Sequence, residues 1–172
     1  MQVTKQNIRL YSLDYSNAKT YIFAAAFIIG NIALPQLCHL VPQGGFRFLP
    51  IYFFTLIAAY KYGWRVGLLT ALASPVLNSL LFGMPAASAL PSILIKSTLI
   101  VAGASFAASG FHKASLGLLA AVVAFYQVLG TMAEWALCGS FHTAIQDFRI
   151  GLPGMMLQVF GGWLVINLLN RK

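Results

Sequence analysis

The sequence predicts an all-α, polytopic membrane protein, with six transmembrane helices in one bundle and both termini cytoplasmic. Three observations predict it. With 59% hydrophobic residues, 8% charged residues and a mean hydropathy of +0.80, the chain is far more apolar than a soluble domain, in which about 25% of residues carry charge. The apolar residues come in long uncharged runs: 30 residues separate Arg65 from Lys96, against the roughly 20 that a helix needs to cross a bilayer. The cations, finally, fall mostly on one of the two sides that six alternating spans define. Open strands are excluded because every backbone amide in hydrocarbon must be bonded internally.

Residues 1–19, with Lys5, Arg9 and Lys19, read as a cytoplasmic N-terminal tail with an interfacial turn around Ile8 to Leu13; residues 20–172 form the membrane domain. The tail lacks the short apolar core and small-residue cleavage site of a removable leader, so the first span is expected to stay. That span runs from Tyr21 to Leu40, kinks at Pro35, where a helical bond is lost, and ends at Pro42 and the Gln43-Gly44-Gly45 turn. The second runs from about Phe48 to Tyr62. Only 13 uncharged residues lie between Arg47 and Lys61, and a helix of about 22 Å is too short to cross some 30 Å of hydrocarbon upright. It must start below the surface or lean on its neighbours.

The third span, Val66 to Phe82, carries Gly67, Ala71 and Ala73, which permit close backbone approach. Gly83, Pro85 and Pro91 then break the chain into a loop. The fourth span, Pro91 to Phe111, has proline well placed in its first turn, and the fifth runs from Ser115 to Leu137. Gly139 to Arg149, with His142, Gln146, Asp147 and Arg149, reads as a loop or surface helix, and the sixth span is Leu152 to Leu169. Cytoplasmic loops carry the excess of Lys and Arg. With the N-terminus inside, eight cations (Lys5, Arg9, Lys19, Lys61, Arg65, Lys113, Arg171, Lys172) lie inside and two, Arg47 and Arg149, outside. The net charge of +8 therefore marks orientation in a lipid bilayer, and no nucleic-acid partner is expected.

The eleventh cation, Lys96, falls within the fourth span, and Glu134 within the fifth, at similar depth in the outer half. Ionisable groups there cost about 2.5 to 3.5 kcal/mol each on insertion scales and point to function. Two readings stand side by side: a structural pair that neutralises itself, or a polar pocket open to the outside that takes a small-molecule substrate. Asn78, Ser79, Asn31, Gln127 and Thr131 at the same depth favour the pocket, with Arg47 at its mouth. For Asn31 and Gln127, interhelical hydrogen bonding is the competing explanation. Trp135 and Tyr126 could stack on a flat ligand, although interfacial aromatics more often anchor a helix.

Cys38, His39, Cys138 and His142 have the right chemistry for zinc, nickel or cobalt, but their spacing is not diagnostic, so no metal and no cofactor is expected. The two cysteines read as small hydrophobes, with a disulfide an open alternative. Enzyme readings lack their parts. Gly103-Ala104-Ser105-Phe106 breaks the Gly-x-Ser-Gly motif of a rhomboid protease at its last position, no His-Glu-x-x-His occurs, and no glycine loop for ATP phosphates is present. A non-catalytic protein is expected.

The wording from Gly44 to Pro85 resembles a known family. A Gly-rich turn before a Pro-led helix (Gly44, Gly45, Leu49, Pro50), then Tyr62-Gly63 and a helix carrying Gly67, then Ser74-Pro75 leading to Leu80-Leu81-Phe82-Gly83-Met84-Pro85, is similar to the substrate-binding membrane subunit, the S component, of energy-coupling factor (ECF) vitamin transporters. The resemblance implies capture of a vitamin or similar micronutrient from outside, in the bacterial cytoplasmic membrane. Loops Pro42 to Arg47 and Gly83 to Leu90 would gate the site. A coupling transmembrane subunit and two ATPase subunits would be supplied by other chains. The nickel and cobalt members of this group use a histidine right after the initiator methionine, where this chain has Gln2. The family's Ala-x-x-x-Ala coupling motif is altered here to Ala26 and Gly30, the expected partner-binding residues. The alternative reading is a structural scaffold resembling the bacterial rod-shape-determining membrane protein, which would not require Lys96, Asn78 and Glu134 to meet around a cavity.

Overall fold

A computed structural model describes residues 13–170; the expectations for Lys5, Arg9, the turn begun at Ile8, Arg171 and Lys172 lie outside the described residues. Among the described residues the regular structure is helical throughout: α1 (Ala18–Cys38), α2 (Gly44–Phe48), a 3-10 turn (Pro50–Tyr52), α3 (Phe53–Tyr62), α4 (Trp64–Phe82), a second 3-10 turn (Ala87–Ala89), α5 (Leu90–Phe111), α6 (Leu116–Cys138), α7 (Phe141–Ala144), α8 (Gln146–Ile150), α9 (Leu152–Met156), a π turn (Leu157–Gly161) and α10 (Gly162–Asn170).

The ends of these elements sit where the local chemistry puts them. Asn17 caps α1 by accepting from the Lys19 amide at 3.0 Å, and Ser115 caps α6 by accepting from Leu118 N at 3.3 Å, each satisfying one of the amide donors that a helix start leaves free. Gly83 and Gly139 close α4 and α6 with φ of 67° and 66°, a left-handed conformation that costs glycine little.

Among the described residues five stretches are long and apolar enough to cross a membrane: α1, α4, Ala87–Phe111, α6 and Leu152–Asn170. The expected second span is different. A one-turn 3-10 helix precedes α3, leaving α3 only ten residues long, nine of them buried. Its neighbours are α1, α4, α5 and α10. A helix enclosed by four others needs no lipid-facing length, which is the physical reason a short apolar run suffices at this position. The bundle thus holds a central short helix among four longer stretches, with α6 packed outside against α5 and α10.

Close approach to that centre is built from small residues. A Cβ on Gly67 would lie 2.6 Å from the Ala59 Cβ, and one on Gly162 would lie 3.3 Å from Leu56. The core around α3 is made by Leu56, Ile57, Tyr60, Ile100, Ala104, Leu119, Tyr126 and Ile166. The wall helices turn large apolar side chains outward, such as Ile29 of α1, Leu80 of α4 and Phe106 of α5. These side chains suit a hydrocarbon surround better than water.

At one end of the bundle Tyr60 Oη donates to the Lys113 carbonyl at 2.7 Å, Lys61 is buried and donates to Asn170 Oδ1, and Arg65 pairs with Asp14 at 3.4 Å. The other end carries α2, the Gly83–Ala89 loop, α7 and α8.

Candidate functional site

The rim of that second end is set by unusual backbone. Gln43 and Leu49 flank α2 with φ of 57° and 45°, strained values for residues with side chains. Gly44 between them has no substitute, since a Cβ there would lie 1.8 Å from the Cys38 carbonyl oxygen. Underneath, Gly154 lets α9 come against the Phe48 backbone, where a Cβ would lie 2.4 Å away. Gln158, in the π turn, is fully buried; its Nε2 donates to the Leu49 carbonyl at 3.5 Å and its Oε1 accepts from Tyr126 Oη at 2.7 Å. The result holds the Pro42–Phe48 segment over the end of the bundle, facing the loop that begins at Gly83.

A cavity of about 500 Å³ lies between these two loops, within the size range of small-molecule sites. Its walls are mainly apolar, with Pro35, Phe46, Leu49, Ile51, Met84 and Ile93 among them. Its polar groups are few and come from different elements: His39, Gln43, Tyr52, Asn78, Ser92, Lys96, Glu134 and Asp147.

The charged part is a triad. Lys96, with a side chain only 3% exposed, places Nζ 2.5 Å from Glu134 Oε2 and 2.7 Å from Asp147 Oδ2. Reaching both requires the lysine stem to cross the face of α6, and Gly130 makes the room: a Cβ there would lie 2.4 Å from Lys96 Cγ. One lysine between two carboxylates leaves a formal charge of −1.

Asn78, 1% exposed, lines the same cavity. Its Nδ2 donates to the carbonyls of Asn31 at 2.9 Å and Ser74 at 3.2 Å, while its Oδ1 has no partner among the described residues. Because both partners of the nitrogen are carbonyl oxygens, the amide cannot be turned the other way round, and the unmatched atom is an acceptor. Asn31 is used structurally. It donates to Thr55 Oγ1 at 2.9 Å and Ser74 Oγ at 3.2 Å and accepts from Phe54 N at 3.3 Å, tying α1 to α4 and to the start of α3.

Of the residues singled out from sequence, Asn78, Lys96 and Glu134 therefore meet around one cavity, and both expected gating loops line it. Arg47 is exposed on α2 and is not part of the lining. Trp135 is half exposed and packs edge-on against Phe141, ring centroids 5.4 Å apart. Tyr126 is in the core. Gln127 is fully buried away from the cavity, and its two amide atoms, like Ser97 Oγ and Thr131 Oγ1, have no partner among the described residues. Cys38 and Cys138 are free thiols.

Ala26 and Gly30 separate. Ala26 is exposed on α1, whereas Gly30 turns inward, where a Cβ would lie 2.9 Å from the Phe54 ring. The small size of Gly30 already serves the approach of α3.

Three residues that shape the site were not singled out from sequence as such. Asp147 belongs to the polar segment 139–149; with only three acids in the chain, its position just beyond the fifth span was the available signal. Gly130 and Gln158 gave none, because each acts through a neighbour distant in sequence. No family model, curated protein or solved structure matches the chain.

Proposed function

We propose that this chain is the substrate-binding membrane subunit of an ECF-type transporter, a non-catalytic protein of the bacterial cytoplasmic membrane. It takes up a small water-soluble micronutrient, a vitamin or vitamin precursor, together with a coupling transmembrane subunit and two ATPase subunits on other chains. In this reading the chain crosses the membrane six times, α3 counting as the short second span, with both termini and the Lys61–Arg65 connection in the cytoplasm. The observation that carries it is the cavity of about 500 Å³ between the two loops, with Asn78, Lys96, Glu134 and Asp147 in its wall. A scaffold protein has no use for a roofed cavity that gathers every acid of one bundle end. Ala26, on the outward face of α1, is the residue we assign to partner docking.

Two experiments test the proposal. Native mass spectrometry of the chain purified in mild detergent is expected to find a co-purifying small molecule. Affinity purification from its own cells is expected to bring down a coupling subunit and ATPases. A ligand-free chain that captures cell-envelope assembly proteins instead would favour the scaffold. Orientation is tested separately: with the free thiols of Cys38 and Cys138 replaced by alanine, an impermeant thiol reagent outside intact cells should label Met84→Cys and spare Arg65→Cys, and labelling of Arg65→Cys would overturn the six-span topology.

A further inference from the structure

We infer that the cavity takes a small organic cation, one that carries N–H donors on an apolar body. The inference rests on the cavity being a ligand site, as proposed above, and adds the class of ligand. Its first ground is charge. Glu134 and Asp147 face a single ammonium, that of Lys96, and with His39 neutral the charged lining sums to −1. Arg47 does not line the cavity, and neither does Arg149, whose Nη1 lies 2.6 Å from His142 Nε2. Mainly apolar walls leave this charge poorly screened and focus its field into the cavity.

The second ground is hydrogen bonding. Lys96 takes one oxygen from each carboxylate, Glu134 Oε2 and Asp147 Oδ2. The other oxygens, Glu134 Oε1 and Asp147 Oδ1, receive no hydrogen bond from the described residues. Asn78 Oδ1 is a further buried acceptor without a donor, a state that native proteins rarely leave uncorrected. The free carboxylate oxygens, the Asn78 acceptor and the net negative charge thus all belong to the wall of one cavity. An anionic ligand would have to pull Lys96 from two carboxylates and would add a further unmatched charge, so the lining selects against it.

Three isosteric probes separate the classes: benzamidinium, benzamide and benzoate, titrated calorimetrically into the purified full chain in detergent after removal of any co-purified ligand. We expect benzamidinium to bind at least tenfold more tightly than benzamide, with no measurable binding of benzoate. Asp147→Asn brings the lining to neutrality and should abolish the preference for benzamidinium over benzamide. Glu134→Gln combined with Asp147→Asn leaves Lys96 as the only charge and should reverse the order in favour of benzoate. The wild-type ranking stands as a test even if the double variant does not fold. Equal or tighter binding of benzamide or benzoate by the unaltered chain would overturn the inference, as would failure of all three to bind. A neutral or anionic natural ligand found by mass spectrometry would overturn the ligand class and leave the transport reading intact. Conversely, a cation bound by a chain that recruits no ATPase would sink transport and leave the cation site standing.

Discussion

The two ends of the bundle use buried cations in opposite ways. At the end formed by Gly63 and the Lys113–Ala114 turn, Lys61 is enclosed and reaches Asn170, and Arg65 lies over the rings of Tyr15 and Trp64, at 5.7 and 5.0 Å, besides pairing with Asp14. Lys61 and Arg65 are thus both fitted against protein groups. At the other end Lys96 is equally buried, yet it stands between two carboxylates on the wall of a cavity of about 500 Å³. The difference lies in what surrounds them: Lys61 is enclosed by protein, whereas Lys96 lies on a cavity wall between two carboxylates whose second oxygens receive no hydrogen bond from the described residues.

The largest effect is expected where that contrast is greatest. Lys96→Met leaves Glu134 and Asp147 as uncompensated, mutually repelling charges, and should cost about 3 to 5 kcal/mol in chemical unfolding in detergent. Replacing all three (Lys96→Met, Glu134→Leu, Asp147→Leu) should recover that stability without recovering ligand binding. If the triple variant binds normally, the triad is structural and the contrast between the ends disappears.

Next come two glycines in close contact, Gly130 with the Lys96 side chain and Gly67 with the Cβ and backbone of Ala59. Gly130→Ala pushes on Lys96 Cγ and Gly67→Ala on Ala59, each with a Cβ contact below 3.0 Å. Both are expected to cost about 1 to 3 kcal/mol, the usual range for overpacking. Only Gly130→Ala should also weaken ligand affinity, because only there does the displaced side chain belong to the cavity. Equal effects on binding would show that the site responds to bundle stability alone.

Arg65→Ala removes an ion pair to an acid whose side chain is 63% exposed, together with two ring contacts. The expected loss is about 1 kcal/mol or less, with ligand affinity unchanged in the same titration. The smallest stability effect is predicted for Ala26→Trp, on the outward face of α1: within about 0.5 kcal/mol of the unaltered chain, but with loss of co-purification of the coupling subunit. Gly30→Trp should instead unfold the protein by striking Phe54, so a folded Gly30→Trp chain would contradict the packing described here.

By itself the sequence determined the helical class, the approximate limits of the long spans and the two loops flanked by glycine and proline. Those features follow from local physics: uncharged runs long enough to cross hydrocarbon, glycine at left-handed caps, proline at breaks. It also marked Lys96 and Glu134, because ionisable residues inside apolar runs are costly wherever the helices pack. The shortness of the second span was legible too; only the tertiary structure decided that four helices enclose it, that Asn78 lines one cavity with the two charges and that Trp135, Arg47 and Gln127 stand apart from it. Rotation about a helix axis decides which side chains converge, and in a chain that is apolar on nearly every face the periodic pattern that would fix rotation is absent. Asp147 illustrates the same limit. Its distance from Lys96 is set by the turn after Gly139 and by the short helices that follow, and by the gap at Gly130 that lets the lysine through, none of which is legible from spacing along the chain.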